Sequence, residues 1–177
     1  MRESLRNECT ADKPKLLVLI NDDWNIDRLF SWLANKQYLW TAEILLLKIL
    51  RPNWFDDTPY TSSQALRLLD EQEDAEAQAW RDLSSSSRKI RLQYPEISLF
   101  THVRSGHSNA ETVTKVAKEF EADSIVLFCG KKNPISTFLE KRFCSQISSS
   151  ASCHVYIIDP QFTELRSPAE ANCVKSI

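Results

Sequence analysis

Four basic side chains stand close together in the last third of the chain, Lys131, Lys132, Lys141 and Arg142. Basic side chains can bind a phosphate group directly, without the glycine-rich loop on which many nucleotide sites depend. A charge run is more often the solvated face of a turn and helix, neutralised here by Glu140 and other nearby acids. The sequence leaves both interpretations open, an anion site and a solvated surface.

The chain contains only two glycines, Gly106 and Gly130. A phosphate cradle needs backbone without side chains, so that consecutive N–H groups can close on the anion. This chain has almost no such backbone. Any nucleotide site in the protein must therefore differ from the usual glycine-rich form.

Residues that could do acid–base or nucleophilic chemistry are few and scattered. His102 and His154 fall in predicted strands, and His107 falls in a loop. Cys129 has basic neighbours that favour a thiolate, but no base accompanies it. The motifs G-x-S-x-G, H-x-x-H, C-x-x-C and H-E-x-x-H are absent from the sequence. We therefore predict neither catalytic residues nor a metal site.

Composition is typical of a globular protein of one domain. The chain has 177 residues and a net charge of −2, from 22 basic and 24 acidic residues. That balance argues against non-specific nucleic-acid binding, which needs a basic surplus. No apolar run approaches the roughly 20 residues of a membrane span, and the first fourteen residues lack the apolar stretch of a signal peptide. We expect a cytoplasmic protein with free thiols, no nucleic-acid partner and no membrane insertion.

Strand-like and helix-like segments alternate along the chain. Five apolar runs lack strict alternation, which indicates strands buried on both faces; they are residues 15–21, 41–50, 96–103, 123–129 and 153–159. Helical patterns fill the gaps, at residues 25–38, 62 to about 93, 108–120 and from 134 onward. The four serines at 84–87 are expected to break or fray the second helix.

This order predicts an α/β fold, a three-layer doubly wound parallel sheet of five strands in the order 3-2-1-4-5, with helices on both faces. We place the domain at residues 15–159, between polar tails at 1–14 and 160–177. Ligands of such sheets bind outside the carboxyl ends of the strands, where the strand order reverses. That crevice would be lined by residues 21–24 and 129–133. Trp24 and Trp54 follow strand ends at this edge, where they either plug the crevice or stack on a base.

Several segments together resemble the universal stress protein family. The first strand runs into a polar turn (LLVLINDD, residues 16–23), and the second reads AEILLL (residues 42–47). The stretch VTKVAKEFEADSIVLFCG from residue 113 is similar to a helix and the following strand of that family, and ASCHVYII from residue 151 is similar to its last strand. The resemblance covers roughly residues 15–158 and implies the same fold.

Many members of that family bind ATP through Gly-x-x-Gly, nine residues, then Gly-Ser/Thr. Alignment on the strands places Phe128 and Lys131 at the paired glycines, and Lys141 and Arg142 at the final pair; a slip of one residue recovers only Gly130. Asn21 stands where the family has an aspartate, with Asp22 next to it. The resemblance therefore implies a degenerate motif. The candidate cofactor-binding residues are Asn21, Asp22, Ile49, Gly130, Lys131, Lys141 and Arg142.

The resemblance also implies a partner. In that family the final strand commonly pairs across a two-fold axis, and Val155, Tyr156, Ile157 and Ile158 have the apolar character of such an edge. We expect a homodimer through this strand. The competing possibility is that residues 160–177 fold back and cover the edge.

The function expected from all of this is a non-catalytic, dimeric regulatory or interaction module of the stress response, with an unidentified protein partner and with ATP binding lost. No cofactor is expected. One alternative is a protein that binds ATP or AMP, a slow ATPase at most, through basic side chains in place of glycines. Another is a soluble regulatory domain associated with a membrane transporter.

Overall fold

The computed structural model of the protein describes residues 13–20, 26–50, 61–105, 109–128, 134–158 and 164–166. Strands and helices alternate, and there is a short 3-10 helix at Gln37–Leu39. The strands are β1 (Lys15–Ile20), β2 (Glu43–Leu50), β3 (Ser98–Ser105), β4 (Ser124–Phe128), β5 (His154–Ile158) and β6 (Glu164–Arg166). The helices are α1 (Ile26–Ala34), α2 (Ser62–Gln93), α3 (Asn109–Glu119) and α4 (Pro134–Ser150).

The strands form one sheet in the order β3-β2-β1-β4-β5-β6. The first five are parallel, which confirms the predicted 3-2-1-4-5 order. One row of register partners crosses these five strands, from Thr101 through Leu46, Val18 and Val126 to Tyr156. From β1 the chain adds β2 and β3 on one side of the sheet and then β4 and β5 on the other. A ligand crevice is therefore expected beyond the carboxyl ends of β1 and β4, the two strands between which the direction changes.

The sheet is buried on both faces because successive strand residues point to opposite sides. Leu16 and Val18 belong to a core on the face covered by α1 and α2, together with Leu83 of α2. Leu17 belongs to a second core on the face covered by α3 and α4, together with Val113 of α3. Burial of each such side chain contributes about 1.5–3 kcal/mol, so these two layers fix the positions of the strand ends.

The second helix is continuous, so the predicted break at the serines of residues 84–87 is wrong. It begins with a capping box, in which the Thr61 hydroxyl accepts a hydrogen bond from the Gln64 backbone N–H and the Gln64 side chain accepts one from the Thr61 N–H. Leu83 and Ile90 are fully buried on either side of the serines. Their packing against the sheet holds the backbone helical, although serine is a poor helix former.

The first helix is shorter than predicted. It ends at Ala34, and the chain continues into the 3-10 helix at Gln37–Leu39. Leu39 is buried there and belongs to the same core as Ile26 and Leu29 of α1. Packing of Leu39 in the core therefore determines the turn after α1. The predicted helix over residues 25–38 did not include this turn. Among the helices that the structure describes, none has both the length and the apolar character needed to cross a membrane.

The last parallel strand is not the edge of the sheet, which corrects the expected position of the strand at residues 153–159. β6 pairs antiparallel with β5, with Tyr156, Ile157 and Ile158 opposite Arg166, Leu165 and Glu164. The expectation of an unpatterned tail at residues 160–177 missed this strand. The fold therefore follows the competing possibility, in which chain beyond residue 159 covers the apolar edge of β5.

Candidate functional site

The crevice predicted from the topology lies beyond Ile20 and Phe128, the last residues of β1 and β4. Residues 21–25 and 129–133, which follow these two strands, lie outside the described residues. The candidates Asn21, Asp22, Gly130 and Lys131 fall in these segments, as do Trp24, Cys129 and Lys132; Trp54 and His107 also lie outside the described residues. The geometry of the site therefore rests on the strand ends and on the helices beside them.

Phe128 closes the carboxyl end of β4. It stands at the first position of the glycine pair in the alignment above, yet its side chain is only 4% exposed and packs in the core under α1 and α2. A glycine at a phosphate site leaves room for the anion to approach the backbone. At this position the chain has an aromatic ring, which is buried on the α1 side of the sheet.

Arg28 of α1 covers that ring. Its guanidinium carbon lies 5.3 Å from the centroid of Phe128, and its Nη2 donates a hydrogen bond of 3.1 Å to the carbonyl oxygen of Ile158. Arg28 therefore bridges the carboxyl ends of β4 and β5. Sequence reasoning missed Arg28, because its role depends on which side of α1 faces the two strand ends. The sequence did contain one indication, which is that Arg28 lies in the first turn of the helix that follows the first strand.

An aromatic and cationic layer continues from Arg28 along α1. The rings of Trp32 and Tyr156 are 5.5 Å apart, and the Lys36 ammonium lies 5.4 Å from the Tyr156 centroid and 6.0 Å from that of Trp32. Cation–π contacts of this kind contribute about 0.5–1 kcal/mol at exposed sites and more when buried. The layer packs α1 firmly against β4 and β5.

The other candidates within the described residues do not converge on Phe128. Ile49 is half-buried against the core under α3 and α4, which is the opposite face of the sheet. Lys141 and Arg142 both lie in α4, and the side chain of Arg142 is exposed. Of the predicted set, Ile49 therefore lies away from the Phe128–Arg28 pair, on the other face of the sheet.

Among the described residues, the histidines and thiols lie away from this edge or within the core. His154 is exposed at the start of β5, at the amino edge of the sheet, and His102 is half-buried within β3. Cys144 is buried in the core, and burial raises the pKa of the Cys153 thiol above its ordinary value of 9.0. In the part of the chain that the structure describes, no three histidine, cysteine or acidic residues are grouped to hold a metal ion, and no polar or charged side chain is buried.

The best-formed charged cluster also lies at the amino edge. Lys15 Nζ is 3.0 Å from a carboxylate oxygen of Glu121, and the Lys15 backbone N–H donates to Asp123 at 2.8 Å. The hydrogen bond with Glu121 raises the pKa of Lys15. This cluster ties β1 to the α3–β4 connection and is far from the crevice, so its role is structural.

The family assignment follows from a comparison of sequence profiles. The profile of the universal stress protein family matches residues 14–159. The chain belongs to this family. No curated protein matches it significantly in sequence.

Solved universal stress proteins share the fold. UspA from Lactobacillus plantarum has a TM-score of 0.60 and 20% identity, over 81% of this chain and 96% of that one. A family member from Burkholderia pseudomallei has a TM-score of 0.56 and 15% identity, over 81% and 94%. A universal stress protein in complex with cAMP has a TM-score of 0.54 and 12% identity, over 83% and 97%. Identities this low establish the architecture alone.

Proposed function

We propose that this universal stress protein is a non-catalytic regulatory or interaction module that works without an adenine nucleotide. The observation that carries the proposal is the Phe128–Arg28 pair. A buried ring stands where the family pattern has a glycine, and the guanidinium above it already donates to the Ile158 carbonyl oxygen. Both groups are engaged in holding strand ends together.

The positions of the described groups with a shifted pKa support the non-catalytic part of the proposal. Catalytic acids, bases and nucleophiles usually have a perturbed pKa that burial or a close charge produces. Among the described residues, the pKa is shifted at Lys15 and Cys153, which both lie at the amino edge of the sheet. Neither is near the end of the sheet where doubly wound folds bind ligands.

The second candidate function is nucleotide binding through basic side chains. The position of Arg28 favours this second function, because its cationic side chain lies at the carboxyl ends of β4 and β5, next to the expected crevice. A universal stress protein of the same fold has been solved with cAMP. In this alternative Arg28 would bind a phosphate group beyond the carboxyl ends of β4 and β5.

Dimerisation through Val155, Tyr156, Ile157 and Ile158 is not part of the proposal. β6 occupies the outer edge of β5 at the last three of these positions. A strand whose edge hydrogen-bonding groups are already paired cannot accept a second copy there without losing that pairing.

Thermal unfolding with and without millimolar Mg-ATP, Mg-ADP, AMP and cAMP tests the proposed function. A ligand at 100 times its dissociation constant stabilises a fold by roughly 2.7 kcal/mol, which raises the Tm of a domain of this size by roughly 5–10 °C. We expect no shift with any of the four. A clear shift with one of them would overturn the proposal.

If a shift appears, three variants locate the binding site. Arg28→Gln and Arg142→Gln remove one cation each, and Arg67→Gln is the matched control, because Arg67 pairs with Glu71 on the exposed surface of α2. Loss of the shift in Arg28→Gln, but not in Arg67→Gln, would establish the second candidate function.

A further inference from the structure

α2 is much longer than the strands it covers. Its 32 residues span about 48 Å, whereas the 8 residues of β2 span about 26 Å. The buried side chains of α2 are Ala79, Leu83 and Ile90, all in its second half. No side chain of residues 62–78 is buried. The fully buried side chains of α2 therefore lie in its second half, whereas the first half is only partly buried, at Ala65, Leu68, Glu71 and Gln72.

Exposed apolar side chains concentrate on this helix. Leu66, Leu69, Trp80 and Leu92 are exposed by 63%, 50%, 40% and 78%. At 3.6 residues per turn, Leu66 and Leu69 lie within about 40° of Trp80 around the helix axis, whereas Leu92 lies about 120° away. Leu66, Leu69 and Trp80 thus form one stripe, which we call the Trp80 stripe. An aligned apolar stripe, unlike a single exposed leucine, indicates a contact surface.

Charge is distributed unevenly along the same helix. The acidic side chains are concentrated before Trp80, at Asp70, Glu71, Glu73, Asp74 and Glu76, and basic ones after it, at Arg88, Lys89 and Arg91. Asp70 and Glu73 are neighbours on the helix surface, where like charges repel. Within the described residues, neither of them forms an ion pair, and neither does Arg88.

We propose that α2 pairs with the α2 of a second copy of this chain, antiparallel and about a two-fold axis at Trp80. In such a pair, residues equally spaced before and after Trp80 lie level with each other, and each contact occurs twice. Arg88 of one copy then lies at the same position along the helix axis as Gln72 of the other copy. Gln72 is between Asp70 and Glu73, so both carboxylates are near Arg88 along that axis. Asp70 and Arg88 are five whole turns apart and so lie on the same side of the helix, where an antiparallel pair brings them together.

The same arrangement covers the Trp80 stripe. Leu69 of one copy lies level with Arg91 of the other, and Leu66 lies level with Tyr94. The Arg91 guanidinium donates a 3.1 Å hydrogen bond to the carbonyl oxygen of Leu99, so its methylene stem is available to cover an apolar neighbour. This side of α2 adjoins β3, the outermost strand at that edge of the sheet. The second copy therefore lies against an outer side of the molecule.

A second copy fits this surface because, in an antiparallel pair, the acidic half of each α2 lies beside the basic half of the other. With the two-fold axis at Trp80, the two helices overlap over residues 67–93, and a strip about 40 Å long and 10 Å wide buries roughly 400 Å² on each copy, which is the size of a weak interface. We therefore expect a dissociation constant in the micromolar range. The inference does not depend on the nucleotide question, since the stripe lies on α2 and the crevice lies beyond β1 and β4.

Sedimentation equilibrium of the full chain from about 1 to 200 µM tests the pairing. We expect a monomer–dimer equilibrium that Trp80→Ala weakens at least tenfold. Leu92→Ala is the matched control, because it removes a more exposed leucine from another side of the same helix, and it should leave the dissociation constant within about twofold. Circular dichroism of each variant establishes that α2 remains helical.

Charge reversal identifies the register. Asp70→Lys combined with Glu73→Lys should weaken the dimer about tenfold, and so should Arg88→Glu. The triple variant restores opposite charges across the two-fold axis and should recover most of the lost affinity. A monomer at all concentrations would overturn the proposal, which would leave the stripe to a different partner. A dimer unaffected by Trp80→Ala and by the reversals would also overturn it, because another surface would then form the dimer.

Discussion

Phe128 is the residue on which the proposed loss of nucleotide binding rests. Its backbone ends β4, next to the end of β1, where proteins with this topology bind ligands. Its side chain points into the core under α1 and is held there by Arg28. The alignment predicted that an aromatic residue replaces a glycine at this position. Its burial and its cationic cover depend on α1, which is distant in sequence, so the sequence could not predict them.

Cys153 provides a test at the same scale. Burial raises the pKa of its thiol, with a smaller contribution from the negative charge of Asp123. The folded protein therefore favours the protonated thiol. The contribution of Cys153 to the free energy of unfolding is present below the pKa of the unfolded thiol, and it is lost as the pH rises through the higher pKa of the folded thiol. We expect iodoacetamide to modify Cys153 more slowly than an unfolded thiol at pH 7.5, because less of the thiol is in the reactive thiolate form.

Mass spectrometry of the alkylated protein over pH 7–10 measures this rate for each cysteine. The rate at Cys153 should rise with pH well beyond the point where the urea-unfolded protein has levelled off. Cys153→Ser identifies the peptide. Equal rates in the folded and unfolded protein at pH 7.5 would show that the thiol is not protected.

At the scale of elements, the end of α3 shows the effect of having so few glycines. The Ala122 N–H donates to the Ala117 carbonyl at 2.8 Å and the Glu121 N–H donates to the Lys118 carbonyl at 3.1 Å, which is the pattern of a Schellman cap. Glu121 occupies the left-handed position with φ 56°, and it is the only non-glycine residue with positive φ in the described segments. Glycine usually fills this position, because it has no Cβ to clash.

We therefore predict that Glu121→Gly stabilises the protein by up to about 1 kcal/mol. The gain from backbone relief is offset in part by loss of the exposed ion pair with Lys15, which contributes little. Glu121→Ala is the matched control, since it removes the same ion pair and keeps the Cβ. Urea unfolding monitored by circular dichroism compares the two. A glycine variant no more stable than the alanine variant would contradict the prediction.

The elements also show where sequence patterns were sufficient. The five parallel strands and their order were predictable, because apolar runs without alternation are typical of strands buried on both faces. The continuity of α2 was not, since it depends on the burial of Leu83 and Ile90 against the sheet. β6 was also missed, because three residues without an apolar pattern form a strand only when an open edge is available.

At the scale of the whole molecule, β6 pairs with β5 and covers the edge of the sheet that β5 would otherwise leave open. We predict that Glu164→Pro combined with Leu165→Pro removes this cover, since proline cannot donate to the sheet. The loss of one or two hydrogen bonds should cost only about 1–2 kcal/mol of stability. The larger effect should be assembly, because Tyr156, Ile157 and Ile158 would then present an open edge.

Size-exclusion chromatography with light scattering measures this assembly. The double proline variant should form species larger than those of the parent chain at the same concentration, and the matched Glu164→Ala and Leu165→Ala double variant should not. An unchanged mass in the proline variant would mean that β6 does not protect the edge.

The unequal anchoring of α2 has a mechanical consequence. Its second half is fixed to the sheet by Leu83 and Ile90, and its first half reaches about 25 Å beyond Ala79. The helix is thus a lever arm, in which a tilt of about 10° at the anchored half displaces the far end by roughly 4 Å. The displacement from any such tilt would be largest at Ser62, at the distal end of the helix.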